Sequence, residues 1–311
     1  MLQYLDAVRE VMEYGTRKES RTGIDTISTF NINYEINLHN GFPLLTTKSI
    51  SWKNIVVEML WFLSGQTNID ILKRHNCKFW DDWADPKTGE VPSAYGNFWR
   101  HYPIHQMGSQ GNGWDPHMTI GYMDQIAKVV ETLKRDPLSR RMVVLAWAPG
   151  NAWSSKLPPC HAVFVVNVQN FKPDYMHEPV EQRLCLHLTQ RSCDMALGVP
   201  YNIASYALLM HLLSRFSGIP VGIFAHTLVD AHIYTCKPDG SIPHPLQDHM
   251  PGLKEQLMRE PRPLPKLHID PNIRHLDDIK RLLDLPTSDL MEAFKLEGYD
   301  PHPEIKFKVA V

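Results

Sequence analysis

The chain has 311 residues, 43% hydrophobic and 21% charged, with 32 basic against 34 acidic residues and a formal net charge of −2. That balance excludes a strongly basic nucleic-acid binder or a polybasic membrane surface, so any anion site must come from a local arginine cluster. The five cysteines are scattered and form no CxxC pair, which argues against a disulfide framework or a zinc site and for a reducing, cytoplasmic setting.

The opening segment MLQYLDAVREVMEYG reads as an amphipathic helix ending at Gly15, not as a basic-then-apolar signal peptide. ESRTGIDTISTFNINYEINL then alternates in the manner of strands and turns. SWKNIVVEMLWFLSG has apolar residues at helical spacing, with Gly65 as its C-cap. IGYMDQIAKVVETLKRDP predicts a second amphipathic helix, and HAVFVVNVQN with RLCLHLTQR a strand pair. YNIASYALLMHLLSRFSG predicts a long apolar helix at the buried centre, after which GIFAHTLVDAHIYT returns to strand. Stretches near 101–121, 171–182 and 235–247 are rich in Gly, Pro and His and read as inserted loops. No apolar run approaches the roughly 20 residues of a membrane span. The expectation is a single α+β domain over 1–311, with helices packed on a largely antiparallel or mixed sheet.

Chemistry is suggested wherever a reactive or charged side chain interrupts an apolar element. Glu58 lies inside VVEMLWF, where a carboxylate either reaches a surface partner or sits in a cavity with a raised pKa. Cys160, in LPPCH before an apolar strand, reads on its own as a small buried hydrophobe ahead of the sharper reading, a nucleophile at the mouth of a sheet. His161 is a poor base for it, because adjacent strand residues point to opposite faces. By the same rule, Arg191 and Cys193 share one face and Gln190, Ser192 and Asp194 the other, unless the strand ends there. Arg21, Arg140, Arg141 and Arg191 border apolar elements, and their convergence would make a phosphate or carboxylate site. His232 and Tyr234, spaced by two on a strand, can both face one ligand hydroxyl.

Taken together, RTGIDT, FPLLTTK, WKNIVVEMLWFLSGQTN, FWDDWAD, AYGNFWR, SRRMVVLAW, LPPCH, QRSCDMALGVPYNIASYALL, HTLVDAHIY, REPRPLPKL and GYDPHPEIKFKVAV resemble the folate-dependent thymidylate synthase family over nearly the whole chain. The resemblance implies Cys160 as the nucleophile that adds to C6 of dUMP, with 5,10-methylenetetrahydrofolate as cosubstrate and no metal. It implies Glu58 and Tyr95 in a proton-moving water network, and Arg21, Arg191, Ser192, Arg140 and Arg141 around the phosphate. In such a family Arg140 and Arg141 come from the partner subunit, so a homodimer is implied. Gln190 belongs to the same substrate-binding stretch, Asn202 matches the reader of the uracil edge, and His232 and Tyr234 match the ribose contacts. Asp194 resembles a pterin-binding carboxylate. Trp80, Trp83, Leu157, Leu197, Gly198, Tyr201 and Val311 resemble the folate wall and its lid, and Lys48 a contact for the folate glutamate tail.

Several positions depart from the family pattern. EVPSAYG alters the loop before Tyr95, Val229 stands where a glycine is usual, Ala148 replaces an asparagine and Tyr201 a phenylalanine. TCKPDGSIPHPLQ separates Tyr234 from DHM. These changes keep a rival outcome in view, namely a deoxyuridylate hydroxymethylase in which water rather than hydride reaches the exocyclic methylene. Trp80, Trp83 and the terminal VAV favour exclusion of water and hence methylation. Asn202 favours uracil over cytosine. A nucleotide binder without turnover is argued against by the presence of Cys160, Glu58 and Arg191.

Overall fold

In the computed structural model, which describes residues 1–20, 22–106, 119–152, 155–172 and 180–310, Tyr4, Leu5, Val8 and Val11 bury one face of α1 (Leu2–Tyr14). β1 (Thr16–Lys18) and β2 (Asp25–Asn37) follow as an antiparallel pair. Ser51 caps α2 (Trp52–Ser64) by accepting from the Asn54 N–H, and Gly65 ends it at φ 76°, a left-handed conformation that suits glycine. α3 (Asp70–Arg74) and α4 (Tyr95–Arg100) lead into the antiparallel arms β3 (Tyr102–Gln106) and β4 (Thr119–Met123). Asp124 accepts from the Ala127 N–H and so starts α5 (Gln125–Arg135). The helix expected from Ile120 therefore begins later, because the cap falls at Asp124 and the residues before it pair as a strand.

Next come β5 (Val143–Leu145), α6 (Pro149–Ala152), β6 (His161–Phe171), β7 (Glu181–Gln190) and β8 (Cys193–Asp194). α7 (Gly198–Ser217) precedes β9 (Val221–Thr235), and α8 (Met250–Met258), β10 (Lys266–Ile269), α9 (Asp278–Leu283), α10 (Thr287–Ala293) and β11 (Phe294–Glu297) complete the order. Among the described residues the main sheet runs β1-β2-β9-β7-β6-β5, with β8 beside β9. β7 and β8 pair with β9 in parallel and the other neighbours are antiparallel, so the α+β expectation holds with a mixed sheet.

α7 lies against the inner face, with Ile203, Leu208, Leu209, Leu212 and Leu213 buried, at about 1.5–3 kcal/mol per large apolar side chain. Val229 does not break β9. The ladder pairs Phe30 with Asp230 and Ile32 with Leu228, and Asn31 between them takes φ 64°. Of the three inserted stretches, the third folds into a turn in which Lys237 N–H donates to Ser241 O (2.9 Å), followed by a short helical turn at Pro245–Gln247. Residues 107–118 and 173–179 of the other two lie outside the described residues. Among the described residues no helix is long and apolar enough to cross a membrane.

Candidate active site

The antiparallel pairing of β6 with β7 sets His161 opposite Gln190, so the residue before β6 and the residue after β7 are neighbours. Arg191 N–H donates to Cys160 O at 2.9 Å and extends the ladder by one step. β7 ends at Gln190, and this is why alternation fails beyond it. Cys193 turns into the core while Arg191, Ser192 and Asp194 reach a common cleft. That cleft has a volume of about 860 Å³, within the range of small-molecule sites.

Cys160 lies half-buried on the cleft wall, its thiol 3.9 Å from Pro158 O. Its backbone N–H donates to Tyr95 Oη at 2.8 Å, and that of His161 to the same oxygen at 3.4 Å. Burial holds the Tyr95 phenol protonated, well above its ordinary pKa. Arg191 fixes the Cys160 loop from the other side, with Nε donating to Pro159 O (2.9 Å) and Nη2 to Pro158 O (2.8 Å). Its guanidinium rests 5.3 Å over the Trp147 ring. By contrast the Cys77 thiol is buried and pushed up to about 12, and burial raises Cys193 as well. Of these three thiols only that of Cys160 lines the cleft.

Glu58 projects from α2 into the cleft, where burial pushes its carboxyl up to about 7 against the lowering effect of the Trp80 indole N–H. Asp194 behaves oppositely. Burial would raise it, but the facing His249 and His232 and the Leu197 N–H hold it below the usual carboxylate range. Its Oδ1 accepts from Ala196 N–H (2.9 Å) and Leu197 N–H (3.1 Å), with His249 Nδ1 at 3.6 Å, beyond hydrogen-bonding distance. His161 is buried, pushed down to about 4 by desolvation, and stacked on Tyr95 at 4.6 Å, so it is no partner for the thiol.

Asn202 Oδ1 accepts from Gln190 Nε2 at 3.0 Å at the cleft floor. His232 and Tyr234 both line the cleft, their rings 5.2 Å apart, as the spacing of two predicts. Ser192, Trp80, Trp83, Leu157, Leu197, Gly198 and Tyr201 line it too. The altered loop before Tyr95 is packed, with Val91 and Ala94 buried and Ser93 Oγ donating to Leu157 O at 3.4 Å.

Two predicted groups stand apart from the cleft lining. Arg140 and Arg141 are exposed, just before β5, and do not line this cleft. Lys48 is buried, its ammonium donating to Ala196 O and lying 4.6 Å over the Phe307 ring, outside the cleft lining. Arg21 and Val311 lie outside the described residues.

Sequence reasoning missed His226 and Tyr34 behind Gln190, Trp147 beneath Arg191, and the latch on the final segment. In that latch Leu246 O accepts from Lys308 N–H (2.8 Å), Gln247 Nε2 donates to Val309 O (3.1 Å), and His249 Nε2 meets Lys308 O (3.0 Å). Phe307 to Ala310 thereby form one side of the cleft. The one available signal was His226 itself, a polar residue at the apolar parity of Phe224 and Leu228. Among the described residues no cluster of His, Cys, Asp or Glu is arranged to hold a metal.

The family model for thymidylate synthase matches residues 2–311. A thymidylate synthase of Haloferax volcanii is 39% identical over 352 aligned positions, covering 98% of this chain and 95% of its own. The chain belongs to the thymidylate synthase family.

Proposed function

We propose that this cleft methylates dUMP at C5 to give dTMP, with Cys160 as the nucleophile. The observation that carries the reading is the convergence of Cys160, Glu58, Tyr95, Arg191 and Asn202 on one cleft. The Cys160 thiolate forms a bond to C6 of the pyrimidine, and the displaced electron pair makes C5 a carbon nucleophile. Asn202 holds the base, its amide N–H donating to O4 and the second lone pair of Oδ1 accepting N3–H, while the first stays with Gln190. Glu58, poised at about 7, exchanges a proton with water near the base. Water ordered by Tyr95 takes up the proton that C5 loses, and the C6–sulfur bond breaks as product forms, returning the Cys160 thiolate. When bound, methylenetetrahydrofolate supplies the one-carbon unit and then the hydride, leaving as dihydrofolate. The fit of a folate is supported by the aromatic and aliphatic wall of Trp80, Trp83, Leu157, Leu197 and Tyr201, with ionised Asp194 placed for a pterin N–H.

Methylation rather than hydroxymethylation is supported by the final segment, which covers the cleft and keeps water from the exocyclic methylene. The phosphate of dUMP is held by Arg191 and Ser192, joined by Arg21. Arg140 and Arg141 reach the cleft of a partner subunit in a homodimer. Their exposure beside β5, where Val143 (41%) and Leu145 (37%) also present apolar surface, supports this arrangement. Lys48 and Val311 complete the folate side, Val311 as the end of the covering segment. The protein works in the cytoplasm.

Incubation with 5-fluoro-dUMP and methylenetetrahydrofolate tests the reading. A covalent adduct mapped to Cys160, together with dihydrofolate and a methylated nucleotide on turnover of dUMP, is the expected result. Tetrahydrofolate with a hydroxymethyl product would replace methylation by its rival, and no adduct would overturn both.

A further inference from the structure

Behind Asn202 runs a chain of buried polar groups whose hydrogen-bond direction can be deduced from one end. Gln190, 2% exposed, bonds through Nε2 to Ser192 O (3.1 Å) and Asn202 Oδ1 (3.0 Å). A backbone carbonyl can only accept, so the Gln190 NH2 group must face Ser192 and Asn202, and its Oε1 must face the other way. On that side stands His226, 1% exposed, with Nε2 at 3.0 Å from Gln190 Oε1. An amide oxygen can only accept, so His226 carries its proton on Nε2. A neutral ring then has a bare Nδ1, which lies 2.8 Å from Tyr34 Oη, so Tyr34 donates. Desolvation holds His226 well below its ordinary pKa, with His161 and His187 adding in the same direction, which keeps the ring neutral.

We propose that Tyr34 and His226 are positioning residues which hold Gln190, and through it the Asn202 amide, in the orientation that accepts a uracil-type base and refuses a cytosine-type one. The inference rests on the reading of Asn202 as the base reader. Were Gln190 to turn over, its oxygen would face Ser192 O without a proton between them. Asn202 would then have to donate toward Gln190 and could turn its own oxygen to the base, a pattern suited to a 4-amino group. His226 opposes that rotation because its Nε2–H needs an acceptor, and Tyr34 supports this tautomer by donating to the bare Nδ1. A buried acceptor left unpaired is costly, so each link tightens the next.

The test uses the full-length protein and its Y34F and H226F variants. The dissociation constants of dUMP and dCMP are measured for each, alongside thermal midpoints. Phenylalanine keeps the Tyr34 ring and removes only the donor, so Y34F should narrow the dCMP-to-dUMP ratio roughly fivefold, the effect of one neutral hydrogen bond. H226F, which strands Gln190 Oε1, should narrow it about tenfold or more. A purely structural role would lower the midpoint and leave the ratio alone. Nitrogen-15 NMR of the unmodified protein should show His226 protonated on Nε2, a readout that does not depend on either variant folding. A ratio unchanged within about twofold in Y34F, or a proton on Nδ1, overturns the proposal. Failure of the parent protein to prefer dUMP would instead overturn the role given to Asn202.

Discussion

The indole N–H of Trp80 donates to Oε1 of Glu58 at 2.7 Å, so one residue of the cleft wall holds the carboxyl of another. The contact accounts for two features at once. It fixes the carboxyl without a cation, and it opposes, without cancelling, the rise that burial causes.

Glu58 titrates near 7 in the folded chain against an ordinary value of 4.5. The folded protein thus retains a proton that the unfolded chain releases, and the stability linked to this group is greatest below pH 4.5 and falls as pH rises to about 7. E58Q keeps an acceptor for Trp80 and removes the charge. It should be more stable than the parent at pH 8 by about 1–3 kcal/mol and nearly equal to it at pH 5. Thermal melts at the two pH values check this, and turnover should fall by about 10²–10⁴-fold as the relay is lost.

Arg191 spends Nε and Nη2 on the carbonyls of Pro159 and Pro158, leaving the rest of its fork for an anion. A lysine could hold a phosphate as a point charge but could not span both carbonyls. R191K should therefore slow covalent adduct formation with 5-fluoro-dUMP by about 10–100-fold, through a loosened Cys160 loop, while weakening dUMP binding only severalfold. Single-turnover trapping set beside equilibrium binding separates the two effects. Equal losses in both would assign Arg191 to the phosphate alone.

Lys48 is matched by sequence to the folate glutamate tail, yet its ammonium lies buried on Ala196 O beneath Phe307, and burial brings it down to about 8. K48M should raise the folate KM by the same factor, within about twofold, for mono- and polyglutamylated cosubstrate, because the loss is of packing under the final segment. A loss confined to the polyglutamate would return Lys48 to the tail. Because its pKa is lowered, the native state binds fewer protons than the unfolded chain from pH 8 to 10.5, and stability rises across that window. K48M should lack this rise.

The elements legible in sequence were those with a clear period or cap, such as α2 between Ser51 and Gly65, α7, and β9 with His232 and Tyr234 on one face. The contents of the cleft were legible because the motifs are contiguous, from LPPCH to QRSCDMALG. What escaped depends on side chains distant in sequence meeting across the sheet. Tyr34 and His226 are 192 positions apart, and register alone sets them opposite one another. The sequence left open whether β7 ends at Gln190, since a bend that turns Arg191 toward Cys160 carries no glycine or proline to announce it.

The third inserted stretch has a definable task, because Leu246 and Gln247 close its end and both hold the backbone of the final segment. Phe307 seats between Lys48 and His249, its ring 5.0 Å from the latter, and packs on Gly252 of α8. A Cβ at Gly252 would meet Phe307 Cε1 at 2.6 Å and Ile305 Cγ2 at 2.9 Å, closer than atoms can pack. G252A should then have two opposed effects. Alanine favours α8 itself by up to about 1 kcal/mol, so the fold should not melt earlier. The final segment, however, should leave its seat, admitting water to the cleft. The expected result is a folate KM raised about tenfold or more and a hydroxymethylated fraction among the products, with Q247A a milder version at about fivefold. Product mass and folate oxidation state, read at saturating folate, check the claim. A G252A enzyme that still yields only methylated nucleotide would show that water is kept out by the tryptophan wall and not by the segment that Gln247 holds.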